Sequence, residues 1–127
     1  MFSHIMVGSN NIEESKRFYD AIFGAMDAKP GFQDEKGVNY RHNGAMLMVR
    51  PPLNGEAASY ENGSTIGFNL DSPERVSAWH DAGVAGGGTT IEDPPGIREG
   101  TFGMLYLAYL RDPDGNKLCG LHRIPVE

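Results

Sequence analysis

Apolar residues change their spacing along this chain in a pattern that occurs twice. Ile5 and Val7 alternate with His4, Met6 and Gly8, and Ile66, Phe68 and Leu70 alternate with Thr65, Gly67 and Asn69. A period of two with one polar side predicts a half-buried strand at each place. The spacing then lengthens. Ile12, Ser15, Phe18, Tyr19, Ile22 and Phe23 recur at helical intervals, as do Val76, Trp79 and Ala82, so each strand runs into an amphipathic helix. Asn10 or Asn11 caps the first helix, ahead of Glu13 and Glu14, whose charges suit the positive end of a helix dipole. Ser72 caps the second and Pro73 takes its first position. Gly24 and Gly83 are placed to end the two runs.

Extended sequence punctuated by turn formers follows each helix. VNYRHNGAMLMVRPP predicts a hairpin about Asn43–Gly44, and MLYLAYLRDPDGNKLCGLHR one about PDGN. A looser strand is expected before each hairpin, near residues 26–33 and 88–92. Laying residue n over n+61 aligns SHIMVGSNNIEESKRFYDA with STIGFNLDSPERVSAWHDA, with identities at Ser3/Ser64, Ile5/Ile66, Glu13/Glu74, Asp20/Asp81 and Ala21/Ala82. Placing Gly44 over Gly115 puts Leu47 over Leu118 and Met48 over Cys119. The expectation is a single α+β domain over residues 1–127 built from two βαβββ repeats. The first covers about 1–52 and the second about 64–127. The turn-rich stretch from Pro51 supplies a linker over about 53–63. The segment Glu92 to Gly103, EDPPGIREGTFG, is too polar and too rich in Pro and Gly for a core, and predicts a rim or lid loop carrying Arg98.

Composition narrows the partners. The net charge is −6 and no Lys/Arg run occurs, so no nucleic-acid partner is expected, because phosphate binding needs clustered cations. No apolar stretch reaches the 18 residues of a membrane span, and no membrane partner is expected. Cys119 is the sole cysteine, which rules out an intramolecular disulfide and suits a reducing compartment. The N-terminus, MFSHIMVGSN, lacks a basic segment followed by a long apolar one. The expected location is the cytoplasm.

Three segments in this order, SHIMVGSNNIEESKRFYDAIFGA, STIGFNL and YLRDPDGNKL, resemble the glyoxalase/bleomycin-resistance (vicinal oxygen chelate) superfamily. The first is similar to that family's opening strand with a ligand-type His, followed by a helix carrying S-x-x-F-Y. The last is similar to its D-P-D-G-N hairpin. The resemblance covers nearly the whole chain. It implies mixed sheets that curl around a cleft, with the helices outside, and a common tendency to pair as a homodimer. It also implies four metal-ligand positions on the cleft walls, which here are His4, Met48, Thr65 and Cys119. Family members that use a divalent metal place His, Glu or Gln there. Met is a poor ligand for a hard ion, Thr a weak one, and one His with one Cys gives two good ligands where catalytic zinc takes three. The metal site implied by the resemblance is therefore incomplete, with His4 its single usual ligand.

Strand alternation supplies the rest of the wall. If Ile5, Val7, Leu47, Val49, Ile66, Phe68 and Leu70 face the helices, then His4, Met6, Met46, Met48, Arg50, Thr65, Gly67 and Asn69 face the cleft. Symmetric pairing about PDGN sets Tyr109 opposite Cys119 and Arg111 opposite Lys117. His4 is the candidate general base. Met48, Arg50, Thr65, Arg98, Tyr109, Arg111, Lys117 and Cys119 are candidate ligand contacts, with Arg50, Lys117 and Arg111 forming a possible cationic rim for a carboxylate or phosphate. Parity puts His122 on the strand face opposite Cys119, and His80 lies on the second helix over Tyr19. Two functions stand open: binding, with or without transformation, of a small organic molecule in the cleft; or a metal-dependent lyase or dioxygenase that completes its site with ligands from a partner chain or substrate.

Overall fold

The computed structural model describes residues 1–126. In chain order its elements are β1 (Ile5–Gly8), α1 (Ile12–Gly24), β2 (Phe32–Gln33), β3 (Val38–His42), β4 (Ala45–Arg50), β5 (Ile66–Asn69), α2 (Pro73–Ala85), β6 (Thr89–Thr90), β7 (Gly96–Gly100), β8 (Gly103–Arg111) and β9 (Lys117–Arg123). The first sheet has the strand order β1-β4-β3-β2 and the second β5-β9-β8-β6, with β7 also paired to β8. Within each repeat the first and last strands run parallel and the remaining neighbours antiparallel. Both sheets keep free edges, so neither closes into a barrel. No helix among the described residues is long and apolar enough to cross a membrane.

The repeats share register as well as order. Ile5 pairs with Leu47 and Met6 with Met48; Ile66 pairs with Leu118 and Gly67 with Cys119. The caps are Asn11, whose side chain accepts from Glu14 N, and Ser72, whose side chain accepts from Arg75 N, with Pro73 opening α2. Hydroxyl or amide oxygens at these positions satisfy backbone donors that the helix leaves free. The apolar stripes bury Phe18, Tyr19, Ile22, Val76 and Trp79 completely, in one core cluster with Leu110 and Leu118 of the second sheet.

Three expectations need correction. Gly83 does not end α2, which runs to Ala85 with Gly86 as its cap. Gly83 instead lies where a Cβ would come within 2.3 Å of Leu110 Cδ1 and 3.1 Å of Ile22 Cγ2, so its lack of a side chain lets α2 approach the second sheet and α1. Half of the segment expected as a lid is strand: β7 pairs antiparallel with β8 from Gly96↔Leu107 to Gly100↔Gly103. Its polar residues suit an edge strand, and the nine-residue β8 offers the backbone partners. Arg98 therefore sits on a sheet edge rather than on a mobile loop. Finally, His4 and Thr65 each precede their strand by one residue, so neither is held in a ladder.

The DPDGN hairpin joins the two repeats. Asp112 is buried and accepts from Tyr19 Oη (2.5 Å), from Asn116 N and Asn116 Nδ2 (2.8 Å each) and from Asp114 N (3.0 Å). Asp114 accepts from Asn10 N (2.8 Å) and Ser15 Oγ (3.2 Å). The second repeat's turn is thus pinned to the first repeat's helix. At the symmetry-related place, His80 stands for Tyr19, Val76 for Ser15, Arg41 for Asp112 and Asn43 for Asp114, and those residue types cannot reproduce the bonds.

Candidate functional site

Each sheet turns one face to a helix and the other away from it. On the first sheet the open face carries a row across four strands: Met6 beside Met48, Met48 beside Asn39, Asn39 beside Phe32. Alternation along β4 adds Met46 and Arg50 to the same face, because Leu47 and Val49 are buried on the other. Arg50 Nη2 donates to Asn39 Oδ1 at 3.1 Å. Its Nε is buried and has no hydrogen-bond partner among the described residues. Arg50 also stands between two pockets of about 860 and 480 Å³, one lined by Met6 and the linker, the other by Phe32, Met46 and Met48.

On the second sheet the corresponding row is Gly67, Cys119 and Tyr109, in the expected register, followed by Lys117 opposite Arg111. Burial pushes the Tyr109 phenol above its ordinary value, and contact with Cys119 adds to the rise. Burial likewise raises the Cys119 thiol and Glu92 adds to it, while the hydrogen bond to Tyr109 and the charge of Lys117 oppose it. Cys119 is thereby kept protonated near neutral pH, unlike an activated nucleophile. Lys117 Nζ lies 4.9 Å from the Tyr109 ring centroid and forms an ion pair with Glu92. Glu92 adopts φ +59°, a conformation that costs a non-glycine residue energy and here turns its carboxylate to Lys117.

The structure brings together some of the expected site residues and separates others. Cys119, Tyr109 and Lys117 form one cluster, with Glu92 a member that the sequence did not disclose; its signal is a backbone angle. Met48 and Arg50 share the first sheet. Arg111 Nη1 donates to Gly115 O (2.6 Å) and its guanidinium covers the Tyr60 ring at 4.8 Å. Arg98 folds back on its own segment, donating to Pro94 O (2.7 Å) and Ile97 O (3.2 Å). His4 is exposed, and its Nδ1 meets Ser3 Oγ at 2.8 Å. Thr65 is exposed too. Among Arg50, Lys117 and Arg111, Arg50 retains a buried donor with no acceptor among the described residues.

His4, Met48, Thr65 and Cys119 do not make a metal-binding set. Met6 and Gly67, not His4 and Thr65, flank Met48 and Cys119 across the ladders. Among the described residues, no three His, Cys, Asp or Glu side chains are grouped to hold a metal ion. Among the described residues the hard or borderline donors that a divalent metal requires are not assembled.

Comparison with known proteins fits this architecture. The family model for the Glyoxalase/Bleomycin resistance protein/Dioxygenase superfamily matches residues 1–119. A crystal structure of a glyoxalase/bleomycin resistance protein from Albidiferax ferrireducens T118 is 54% identical, covers 97% of this chain and 99% of that one, and superposes with a TM-score of 0.94. A glyoxalase-related enzyme from Fulvimarina pelagi, 22% identical, covers 97% of this chain and 88% of that one with a TM-score of 0.74. A putative glyoxalase from Bacillus halodurans, 19% identical, covers 96% and 95% with a TM-score of 0.75. At those lower identities the likeness speaks for the fold alone. No curated protein matches the chain. With two βαβββ repeats in shared register and a family match over nearly its full length, this chain belongs to the glyoxalase/bleomycin-resistance/dioxygenase superfamily.

Proposed function

We propose that the chain binds a small organic anion on the open face of its first sheet, held by Arg50 against a wall of methionines, and that this binding proceeds without a metal. The observation that carries the proposal is the unpartnered, buried Arg50 Nε between two pockets. A buried donor without an acceptor costs on the order of 1–3 kcal/mol, and a carboxylate that displaces the side chains covering it satisfies it with a charge-assisted bond. Met6, Met46 and Met48 supply flexible, polarizable surface for an apolar body of irregular shape. The ligand class is accordingly an amphipathic carboxylic acid. Glu92 neutralises Lys117, and Gly115 and Tyr60 occupy Arg111, so these cations contribute orientation more than charge. The single thiol, Cys119, suits a reducing cytoplasm.

A second copy of the chain completes the site in this proposal. Phe32 is 71% exposed and Met6 53% exposed on the same face. Such apolar exposure around a ligand site is characteristic of a surface that another chain covers. A homodimer in which one open face meets another encloses the ligand, whereas a single sheet leaves it half solvated.

The test is a thermal-shift screen of aromatic and branched aliphatic acids, run with chelator and with added zinc, nickel or manganese. A native-state ligand raises the midpoint by mass action. The expected result is stabilisation by a subset of acids, equal with chelator and with metal, and lost in Arg50→Gln. Stabilisation that needs the metal, or that persists in Arg50→Gln, overturns the proposal.

A further inference from the structure

A cavity of about 330 Å³ lies between the repeats and reaches the open faces at Met46 and Gly67. Its floor is helix-side surface: Phe23 and Met26 at the end of α1, Tyr40 and Leu47 of the first sheet, Ile66 and Phe68 of β5. Its mouth is polar, formed by His42 and Asn43 of the β3–β4 hairpin and by Asn69. Phe23 stacks on Tyr40 at 4.6 Å with 6° between planes, and meets Phe68 edge-on at 5.8 Å.

The cavity has a structural origin. At the opposite end of the pseudo-symmetric pair, the β8–β9 hairpin is pinned to α1 through Tyr19–Asp112 and Ser15–Asp114. Among the described residues the β3–β4 hairpin makes no such bonds to α2, and the residues that correspond in the repeat, Arg41, Asn43, His80 and Val76, are of types that cannot form them. Ile5, though β-branched and apolar, is left 37% exposed at the cavity.

We propose that this inter-repeat cavity is a second ligand site, for a neutral aromatic molecule bearing one hydrogen-bonding group. Size sets the first limit. A 150 Å³ cavity takes benzene, about 25 Å³ per carbon, so this one takes about 13 non-hydrogen atoms, a fused bicyclic ring with a substituent. Charge sets the second. No Asp, Glu, Lys or Arg lines the cavity, and burying an unpaired charge is strongly unfavourable. Shape sets the third: a ring fits edge-on against Phe68 and beside the Phe23–Tyr40 stack, in the arrangements aromatic groups favour. The hydrogen-bonding group meets Asn69, whose side-chain amide has no partner among the described residues, or His42 at the mouth.

The experiment titrates the full chain, labelled at Ile and Met methyls, with 2-naphthol, and in parallel with 2-naphthoate. The proposal requires saturable shifts at Ile5, Met26 and Ile66 with 2-naphthol, little change at Met6 and Met48, and much weaker effects from 2-naphthoate at the first three. Ala45→Leu fills the cavity from β4, and Gly67→Val narrows it where β5 meets the open face; a Cβ at Gly67 meets nothing within 4 Å, so this variant folds even if the other does not. Each is expected to weaken 2-naphthol binding by roughly tenfold or more. Shifts confined to Met6 and Met48, equal effects from the naphthoate at the cavity methyls, unchanged affinity in a folded variant, or no binding overturns the proposal.

Discussion

The Tyr19 hydroxyl donates to Asp112 Oδ2 at 2.5 Å across 93 residues of sequence, and this contact ties the second repeat's DPDGN turn to the first repeat's helix. Tyr19→Phe keeps the ring packing and leaves a buried carboxylate oxygen short of one donor. The expected loss is about 1–3 kcal/mol, seen as a lower midpoint in chemical denaturation with an unchanged slope. A loss near zero contradicts the pin.

The same aspartate carries a pH signature. Burial holds the Asp112 carboxyl above its ordinary value, although its bonds from Tyr19 and Asn116 pull it down. A carboxyl with a raised folded-state pKa binds more protons folded than unfolded between the two values. Its contribution to stability is therefore full at the acid end and declines as pH rises through that window. Measured as wild type minus Asp112→Asn, the unfolding free energy should fall from pH 3.5 toward neutrality and then level off. A difference that rises over that range refutes the assignment.

Gly120 of β9 lies against the indole of Trp79, with a Cβ placed there coming 2.7 Å from Cε3 and 3.0 Å from Cζ3. Trp79 is completely buried and cannot swing aside. Gly120→Ala should destabilise by about 1–3 kcal/mol as an overpacked core, even though alanine suits a strand better than glycine. Thermal unfolding decides the sign.

Cys119 tests the second sheet's electrostatics. Burial dominates its raised thiol value, Glu92 adds to it, and Tyr109 and Lys117 oppose it. The pH profile of iodoacetamide alkylation should shift to lower pH in Glu92→Gln and to higher pH in Tyr109→Phe. Shifts of the opposite sign mean that solvent access, not the local charges, governs this thiol.

Much of this architecture was legible in the sequence because local chemistry decides it. Asn11, Ser72 and Pro73 mark helix starts whatever the rest of the chain does, and the PDGN turn sets Tyr109 against Cys119 without distant help. Where the reading went wrong, the deciding partner is remote. Gly83 looks like a helix stop until Leu110 is beside it. The Glu92–Gly103 stretch looks like a loop until β8 supplies its ladder. The site was legible only in part for the same reason. Alternation places Met46, Met48 and Arg50 on one face, but the unmet Arg50 Nε depends on Asn39 taking the other end of the guanidinium. The resemblance marks His4 as a ligand position, yet β1 begins one residue after it, and nothing in the local sequence announces that.

The measurement that bears most directly on metal-free anion binding at Arg50 is an isothermal titration of the most stabilising carboxylic acid into wild type and Arg50→Gln, both in chelator. The account predicts a saturable isotherm for wild type and, for the variant, an affinity weaker by roughly tenfold to a hundredfold, the loss of about 1.5–3 kcal/mol associated with a hydrogen bond to a charged group. Equal affinities in the two proteins, or binding by wild type that appears only when a divalent metal replaces the chelator, would contradict it.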